Sequence, residues 1–448
     1  MKKCIILGLA LLVLGTALFA EDAKVMPARV GRFYIAPNFT FANGVYDEDG
    51  KLDKDAMDGS VKIFNLGFAL EYGIIDWITG AIQWVPGVTV WSDLEALTGK
   101  KDTNANGVAD LFLGAKMQII GQTAPVKSDM FRFAAAPGLK IPLPGPDFEK
   151  QVENLNKGDK ATLNNMDNHV LAVGGRFYFD YIINKYFFIN VYNETMINAT
   201  KRDLIKAGPN LAVAKSTFGG MADGAAKFGG GLAQLAGDAL NPLANPTIAG
   251  YGSDIAAAAN TLSKAIDNIK GDVNYKYQLT FELEPVFSTN LAEGIVFTAG
   301  LPVNYKYKPA YKYSLDGRDE LKAAVTALMG GIGNNGSAID GYLTTLAGLG
   351  VPALGDPANA LLAGLGSLSD PGNADILPAL DSDSALLKMM GYDPKQSHAL
   401  SINPNVSIFF MKFVLPLEFK YSYSIPIWGQ NTQAGHTMAF QIRAYFKI

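Results

Sequence analysis

Residues 273–287 place Val273, Tyr275, Tyr277, Leu279, Phe281, Leu283 and Phe287 on one side, and Asn274, Lys276, Gln278, Thr280, Glu282 and Glu284 on the other. A period of two belongs to a strand with two unlike faces. A soluble sandwich buries its apolar face in a core. A barrel in an outer membrane turns that face to lipid and the polar face to a lumen. Twelve stretches of the chain carry the pattern: Arg32–Asn43, Val61–Ile74, Trp77–Trp91, Val108–Gly121, Asp129–Pro142, His169–Ile182, Tyr186–Ala199, Val273–Phe287, Gly294–Lys308, His398–Phe410, Lys412–Ile427 and Thr437–Ile448.

The connectors decide between sandwich and barrel. Short ones follow the second, fourth, sixth, eighth and tenth strands: Ile75-Asp76, Gln122–Ser128, Asn184-Lys185, Ser288–Glu293 and Met411. The others are longer, up to Thr200–Asp272 and Pro309–Ser397. Sorting tight turns to one end and large loops to the other is the layout of outer-membrane barrels. The expectation is an all-β transmembrane antiparallel barrel of twelve strands in a bacterial outer membrane, both termini periplasmic. Fourteen strands stay open if Thr200–Asp272 holds another pair.

The ends of the chain fit this reading. Lys2 and Lys3 precede an uncharged run from Cys4 to Phe19, and cleavage after Ala20 removes residues 1–20 as a secretory signal. That leaves 21–448 as the barrel, with long loops 200–272 and 309–397. Cleavage also removes the only Cys and makes the formal net charge two units more negative than −4. Neither disulfides nor a nucleic-acid partner are expected. The chain stops on a strand with Met438, Phe440, Ile442, Ala444, Phe446 and Ile448 on one face. This end resembles the C-terminal strand by which bacterial outer-membrane proteins address the barrel-assembly machinery, although it closes on Ile448 rather than an aromatic residue.

The long loops are not polar tails. Ser253–Lys270 has a cap at Ser253, apolar Ile255, Leu262, Ile266 and Ile269, and Gly271 after it. Asp319–Met329 repeats helical spacing with Leu321, Val325 and Leu328 and stops at Gly330-Gly331. Ser384–Met390 does so before Gly391, and Gly219–Gly237 and Leu343–Gly366 are rich in Gly, Ala and Leu. Apolar loops at a barrel mouth pack into a cap, plug the lumen, or capture an apolar ligand. In a capture groove the side chains would be Leu321, Val325, Leu328 and Met329, with Met389 and Met390 as adaptable neighbours.

On the polar side fall Glu71, Asp110, Lys116, Arg132, Lys140, Arg176, Asp180, Glu194, Lys276, Glu282, Glu284, Lys306, Glu418, Lys420 and Arg443. Paired across strands they brace the interior; layered and unpaired they form a selectivity girdle. Asp102, Asn104, Asn106 and Asp110, with Gly107 for the turn, have calcium-loop spacing, but Leu113 stands where the bidentate acid belongs. An Asx-rich turn and a structural calcium both fit; no other cofactor is expected. Enzyme chemistry finds no support, since His398 and Ser401 lie on opposite faces of one strand and the other histidines are His169 and His436.

Glu71-Tyr72-Gly73-Ile74-Ile75-Asp76-Trp77-Ile78-Thr79-Gly80 resembles the tight periplasmic turn of the FadL-type and aromatic-hydrocarbon-channel group of outer-membrane proteins. Gly107–Lys116 is similar to that group's recurring G-x-G-D-L-x-L-G-x-K strand, with Ala109 in place of Gly. The resemblance implies uptake of hydrophobic small molecules, such as long-chain fatty acids: loops capture, a plug gates, and a kinked strand releases the cargo sideways. Pro86-Gly87 in the third strand is the candidate kink, and Pro137-Gly138 repeats the dipeptide in the fifth. With strand one starting at Gly31–Phe33 there is no room for the group's large N-terminal hatch, so any plug is expected from the long loops. A general diffusion porin and a surface-exposed interaction protein are the alternatives; outer-membrane lipid is the partner common to all three.

Overall fold

The computed structural model describes residues 22–54, 60–92, 103–107, 109–143, 150, 153–154, 169–204, 209–238, 243–348, 378, 380–389 and 395–447. Twelve antiparallel strands close on themselves. In order they are β1 (Val30–Tyr46), β2 (Val61–Ile75), β3 (Ile78–Ser92), β4 (Thr103–Gly107 and Leu111–Ile120), β5 (Phe131–Ile141) and β6 (Ala172–Ile182). The circuit continues with β7 (Phe187–Asn198), β8 (Tyr277–Ala292), β9 (Ile295–Gly300 and Val303–Lys308), β10 (Ser397–Ile402 and Asn405–Phe410), β11 (Leu417–Gln430) and β12 (Thr432–Lys447). Each pairs with its chain neighbour, and β12 returns to β1 from Val30↔Lys447 to Tyr46↔Thr432. The interruptions in β9 and β10 fall at Pro302 and Pro404, which have no N–H to donate.

The alternation sorts the wall as its period demands. Outward-facing Leu70, Phe177, Leu283, Phe440 and Ile442 are exposed large apolar residues, while their neighbours in sequence point into the lumen and are buried. Aromatic side chains gather at both ends. Tyr277 and Tyr307 meet at 6.2 Å near the long-loop end, and Phe131 and Tyr181 at 5.3 Å near the tight turns. An apolar belt between aromatic rims on a closed ladder is a membrane barrel. No described helix is long and apolar enough to cross a membrane; the strands do so. The chain is therefore an outer-membrane β-barrel, with its tight turns periplasmic and its long loops outside.

The eighth strand departs from expectation. Residues 270–274 leave the barrel and join Arg202–Asp203 and Lys312–Asp316 in a small three-stranded sheet. Lys276 takes a left-handed φ of 54° between the two segments, so the alternation that runs unbroken from Val273 is cut in space. Val273 is fully buried in the cap rather than facing lipid. Among the described residues, 200–272 adds no strand to the barrel wall.

That loop instead supplies α1 (Pro209–Gly237) and α2 (Pro246–Asn268), and 309–397 supplies α3 (Arg318–Gly348) and α4 (Asp383–Met389). The helix expected from Ser253 starts a turn and more earlier. Asn245 caps it, accepting from the N–H groups of Thr247 and Ile248 at 3.1 and 3.2 Å, and Pro246 follows as the first helical residue. Ser253 sits inside the helix and donates to the Ala249 carbonyl. Nor does α3 stop at Gly330-Gly331: Ile339, Tyr342 and Leu346 continue its buried face. Burial of that face outweighs the roughly 1 kcal/mol that each glycine costs a helix.

Barrel closure is directly testable. Phe39 and Met438 are partners across the β1–β12 seam, and paired Cα atoms stand within disulfide reach. The double variant Phe39→Cys, Met438→Cys should form an intramolecular cross-link on mild oxidation, seen by mass and by gel mobility. An uncrosslinked, folded product would mean that the seam is not where β12 returns.

Candidate functional site

The lumen is filled by cross-strand ion pairs, each set by register. Arg32 is the partner of Glu71, Arg132 of Asp180, Arg176 of Glu194 and Glu418 of Arg443. Arg32 Nε donates to Glu71 at 3.1 Å, and Tyr34 adds its hydroxyl at 3.2 Å. Arg176 donates to Glu194 at 2.6 Å and to Gln83 at 2.8 Å, with its guanidinium 3.7 Å from the centre of the Phe112 ring. Lys140 stands 3.9 Å from Glu194. Arg443 lies 3.4 Å from Glu418, which also accepts from the Tyr445 hydroxyl at 2.6 Å. Across the barrel, amides hold two further carboxylates. Glu284 accepts from Asn190 and Asn405 at 3.0 and 2.8 Å, and Glu282 from Asn304 at 3.0 Å.

Of the charged residues read as lumenal, Glu71, Lys116, Arg132, Arg176, Glu194, Glu282, Glu284 and Arg443 are buried. The register places Lys306 and Lys420 on the same inner face. Lys276 lies in the kink before β8, outside the wall.

Sequence reasoning missed what fills the periplasmic end. Residues 22–29 turn into the barrel ahead of β1 and cross from the β2–β3 turn towards β6. Arg29 N–H donates to the Gly73 carbonyl at 2.8 Å, Ala28 N–H to Asp76 at 3.0 Å and Met26 N–H to Thr79 Oγ1 at 2.8 Å. Ala23 N–H donates to both carboxylate oxygens of Asp180 at 3.0 Å, and Gln118 donates to the Ala23 carbonyl at 3.0 Å. Gly73 permits the approach, since a Cβ there would lie 2.0 Å from the Pro27 carbonyl oxygen. Among the described residues, 22–29 are the segment that enters the lumen from the N-terminal side, ending in a turn at Ala28-Arg29. The polar period of the wall gave no hint of them, because apart from the Asp22 carboxylate near Arg132 their bonds to the wall fall on backbone atoms.

The β3–β4 ladder is interrupted beside Pro86-Gly87. β3 and β4 pair over Ile78–Gln83 and again over Val88–Ser92. Between these stretches a single bond, from Ala109 N–H to the Val85 carbonyl at 3.0 Å, joins the two strands among the described residues. The β2–β3 register also slips there, between Leu66 and Phe68. Pro137-Gly138, by contrast, keeps its pairing with Gly175 and Gly174 unbroken.

Asp110 lies at this interruption and is held 3.1 Å from His169 Nδ1, with Leu143 N–H donating to it at 3.3 Å. Its carboxylate fastens the β5–β6 connection to the wall. Asp102 lies outside the described residues, and Asn104 and Asn106 sit on β4 opposite Trp91 and Thr89. Among the described residues no group of three metal-ligating side chains converges.

At the outer end the helices form one apolar core. Leu321, Val325 and Leu328 are at most 1% exposed and pack with Leu232, Ile255 and Leu262. They form the interior of the cap, not the wall of an open groove; Met329 and Ile332 lie half-buried at its edge. Met389 ends α4 and Met390 lies outside the described residues.

No protein-family model and no curated protein matches the chain. Similar solved structures include an outer-membrane channel from Pseudomonas putida F1, 9% identical at a TM-score of 0.44, over 96% of this chain and 100% of that one. The monoaromatic hydrocarbon channel TodX, as a deltaS2S3 mutant, is 8% identical at a TM-score of 0.35, over 97% and 95%. A FadL homologue from Pseudomonas aeruginosa is 8% identical at a TM-score of 0.29, over 98% and 97%.

The ion pairs yield a stability test. Arg176→Ala removes the 2.6 Å partner of the buried Glu194 carboxylate and should cost roughly 3–5 kcal/mol. Arg176→Met with Glu194→Gln should cost clearly less. The measurement is the midpoint of thermal unfolding in detergent micelles. Equal losses would show that the pair is not what braces this part of the lumen.

Proposed function

We propose that the protein is an outer-membrane channel for hydrophobic small molecules, with long-chain fatty acids among its candidate cargoes. The observation that carries this reading is an apolar helical cap on a barrel whose interior is packed with paired polar side chains. A diffusion porin for sugars needs an open wet bore and has no use for an apolar cap. Here paired polar side chains line the bore and residues 22–29 cross its periplasmic end.

Capture takes place at the edge of the cap, where Met329 and Ile332 are within reach of a ligand. The residues Leu321, Val325 and Leu328 hold the helices that present them. Burying an alkyl chain contributes about 0.8 kcal/mol per methylene, so a short stretch of contact gives useful affinity. Exit is sideways at Pro86-Gly87. A Cβ on Gly87 would meet nothing within 4 Å, and the ladder on either side is thin. Lateral release spares an apolar chain the passage across the remaining lumenal charges.

The test is binding and uptake of a fluorescent long-chain fatty acid by protein in liposomes. Met329→Asp with Ile332→Asp should weaken binding severalfold, at about 0.8 kcal/mol for each methylene of the ligand left in water. Pro86→Val with Gly87→Thr should leave binding intact and block uptake. Failure of the unmodified protein to bind the probe, together with rapid size-limited sugar entry, would replace this reading with the porin.

A further inference from the structure

The outward face of the wall has one charged exception. Of the Lys, Arg, Asp and Glu side chains on the described residues of β1–β12, the register puts all but Lys62 on the inner face. Lys62 is the second residue of β2, at its long-loop end, and it is exposed. It makes no ion pair among the described residues. A cation on the lipid side of a barrel is tolerated only near the headgroups, where anionic lipid attracts it.

The register adds a second polar group beside it. Phe41 is the partner of both Lys62 and His436, so the three side chains leave the same outward face of β2, β1 and β12. Adjacent strands lie about 4.8 Å apart, which sets the Lys62 and His436 backbones roughly 10 Å apart, a span that a lysine stem leaning over Phe41 can cross. His436 is not free to turn. The Tyr423 hydroxyl on β11 bonds its Nδ1 at 3.2 Å, and the two rings stack at 5.8 Å. Nε2 has no partner among the described residues. With the hydroxyl donating to Nδ1, the imidazole proton sits on Nε2, so a donor is presented on the lipid side. His398 repeats the device on β10: it faces outward, and the Tyr305 hydroxyl bonds its Nδ1 at 2.7 Å. No outward Lys or Arg stands beside His398 on these strands, which makes it an internal control.

We propose that Lys62 and His436 form a docking site for the anionic phosphate headgroup of a lipid in the outer leaflet. The ammonium supplies charge, Nε2–H supplies a directed hydrogen bond, and Phe41 lies between them. Tyr423 is a positioning residue that aims the imidazole. Phe39 and Met438 continue the same outward face towards the periplasm, so the headgroup and its acyl chains are met by one continuous surface. That continuity favours a lipid over a soluble phosphate. The inference concerns the lipid held against the wall and is independent of the cargo.

The test places the full protein in zwitterionic phosphatidylcholine vesicles with a trace of spin-labelled phosphatidic acid or, as the uncharged match, spin-labelled diacylglycerol. Electron paramagnetic resonance reads the fraction of label immobilised at the wall. Phosphatidic acid should be enriched there roughly fivefold over diacylglycerol, the scale of one basic side chain at a membrane surface. Lys62→Gln should remove most of that preference, and Lys62→Arg should keep it. His436→Phe should lower it roughly threefold, the scale of one hydrogen bond, and Tyr423→Phe by less. His398→Phe should leave it unchanged. Heat-modifiable gel migration verifies that each variant is a folded barrel. Excess inorganic phosphate should not displace the lipid. Equal immobilisation of the two probes, a preference that survives Lys62→Gln, a loss in His398→Phe equal to that in His436→Phe, or displacement by inorganic phosphate overturns the inference.

Discussion

Closure of the β1–β12 seam is the constraint on which everything else depends. In hydrocarbon each unpaired backbone group costs several kcal/mol, so a sheet with a free edge cannot remain there. The seam runs from Val30↔Lys447 to Tyr46↔Thr432 with one irregularity. Once it is made, the outward side chains have only lipid to face and the inward ones only each other. The lumenal pairs follow from the same register: Arg32 meets Glu71, and Arg176 meets Glu194, because those residues are cross-strand partners.

A wall this demanding makes its exceptions informative. Prolines interrupt β9 and β10, but neighbouring carbonyls stay engaged. Leu301 N–H reaches the Pro285 carbonyl and Asn403 N–H reaches that of Pro302. The interruption at Pro86-Gly87 is different in kind, because β3 is thinned on both sides at once, by a register slip towards β2 and by a gap towards β4. Among the described residues the ladder is thinned there on both sides, with Asp110 and His169 at its rim.

The two ends of the barrel are closed by different physics. Outside, helices bury Leu, Ile and Val against one another and stand as a small globular core on strand ends. Inside, the segment donates backbone N–H groups to Thr79 and Asp180 and accepts from Gln118 at the Ala23 carbonyl. The first is sealed by apolar packing and is costly to open. The second is held by polar bonds that another polar group can replace.

The period-two pattern and the sorting of connectors determined the barrel, the inner and outer faces and the helical character of the loops, because each is a local property of spacing or of apolar face; the choice of twelve strands over fourteen came from the pairing. The boundaries of α2 and α3 were less legible: an Asn-Pro start precedes the periodic residues, and packing carried α3 through its glycines. Only tertiary structure decided that Val273 belongs to the cap, since a single left-handed residue at Lys276 breaks a pattern that is continuous in sequence. It alone decided that Leu321 and Leu328 are interior, because what covers a helix face lies far away in the chain. It alone placed residues 22–29 in the lumen. Asp22 apart, those residues bind the wall through backbone groups that every sequence shares, so their side-chain pattern does not announce them.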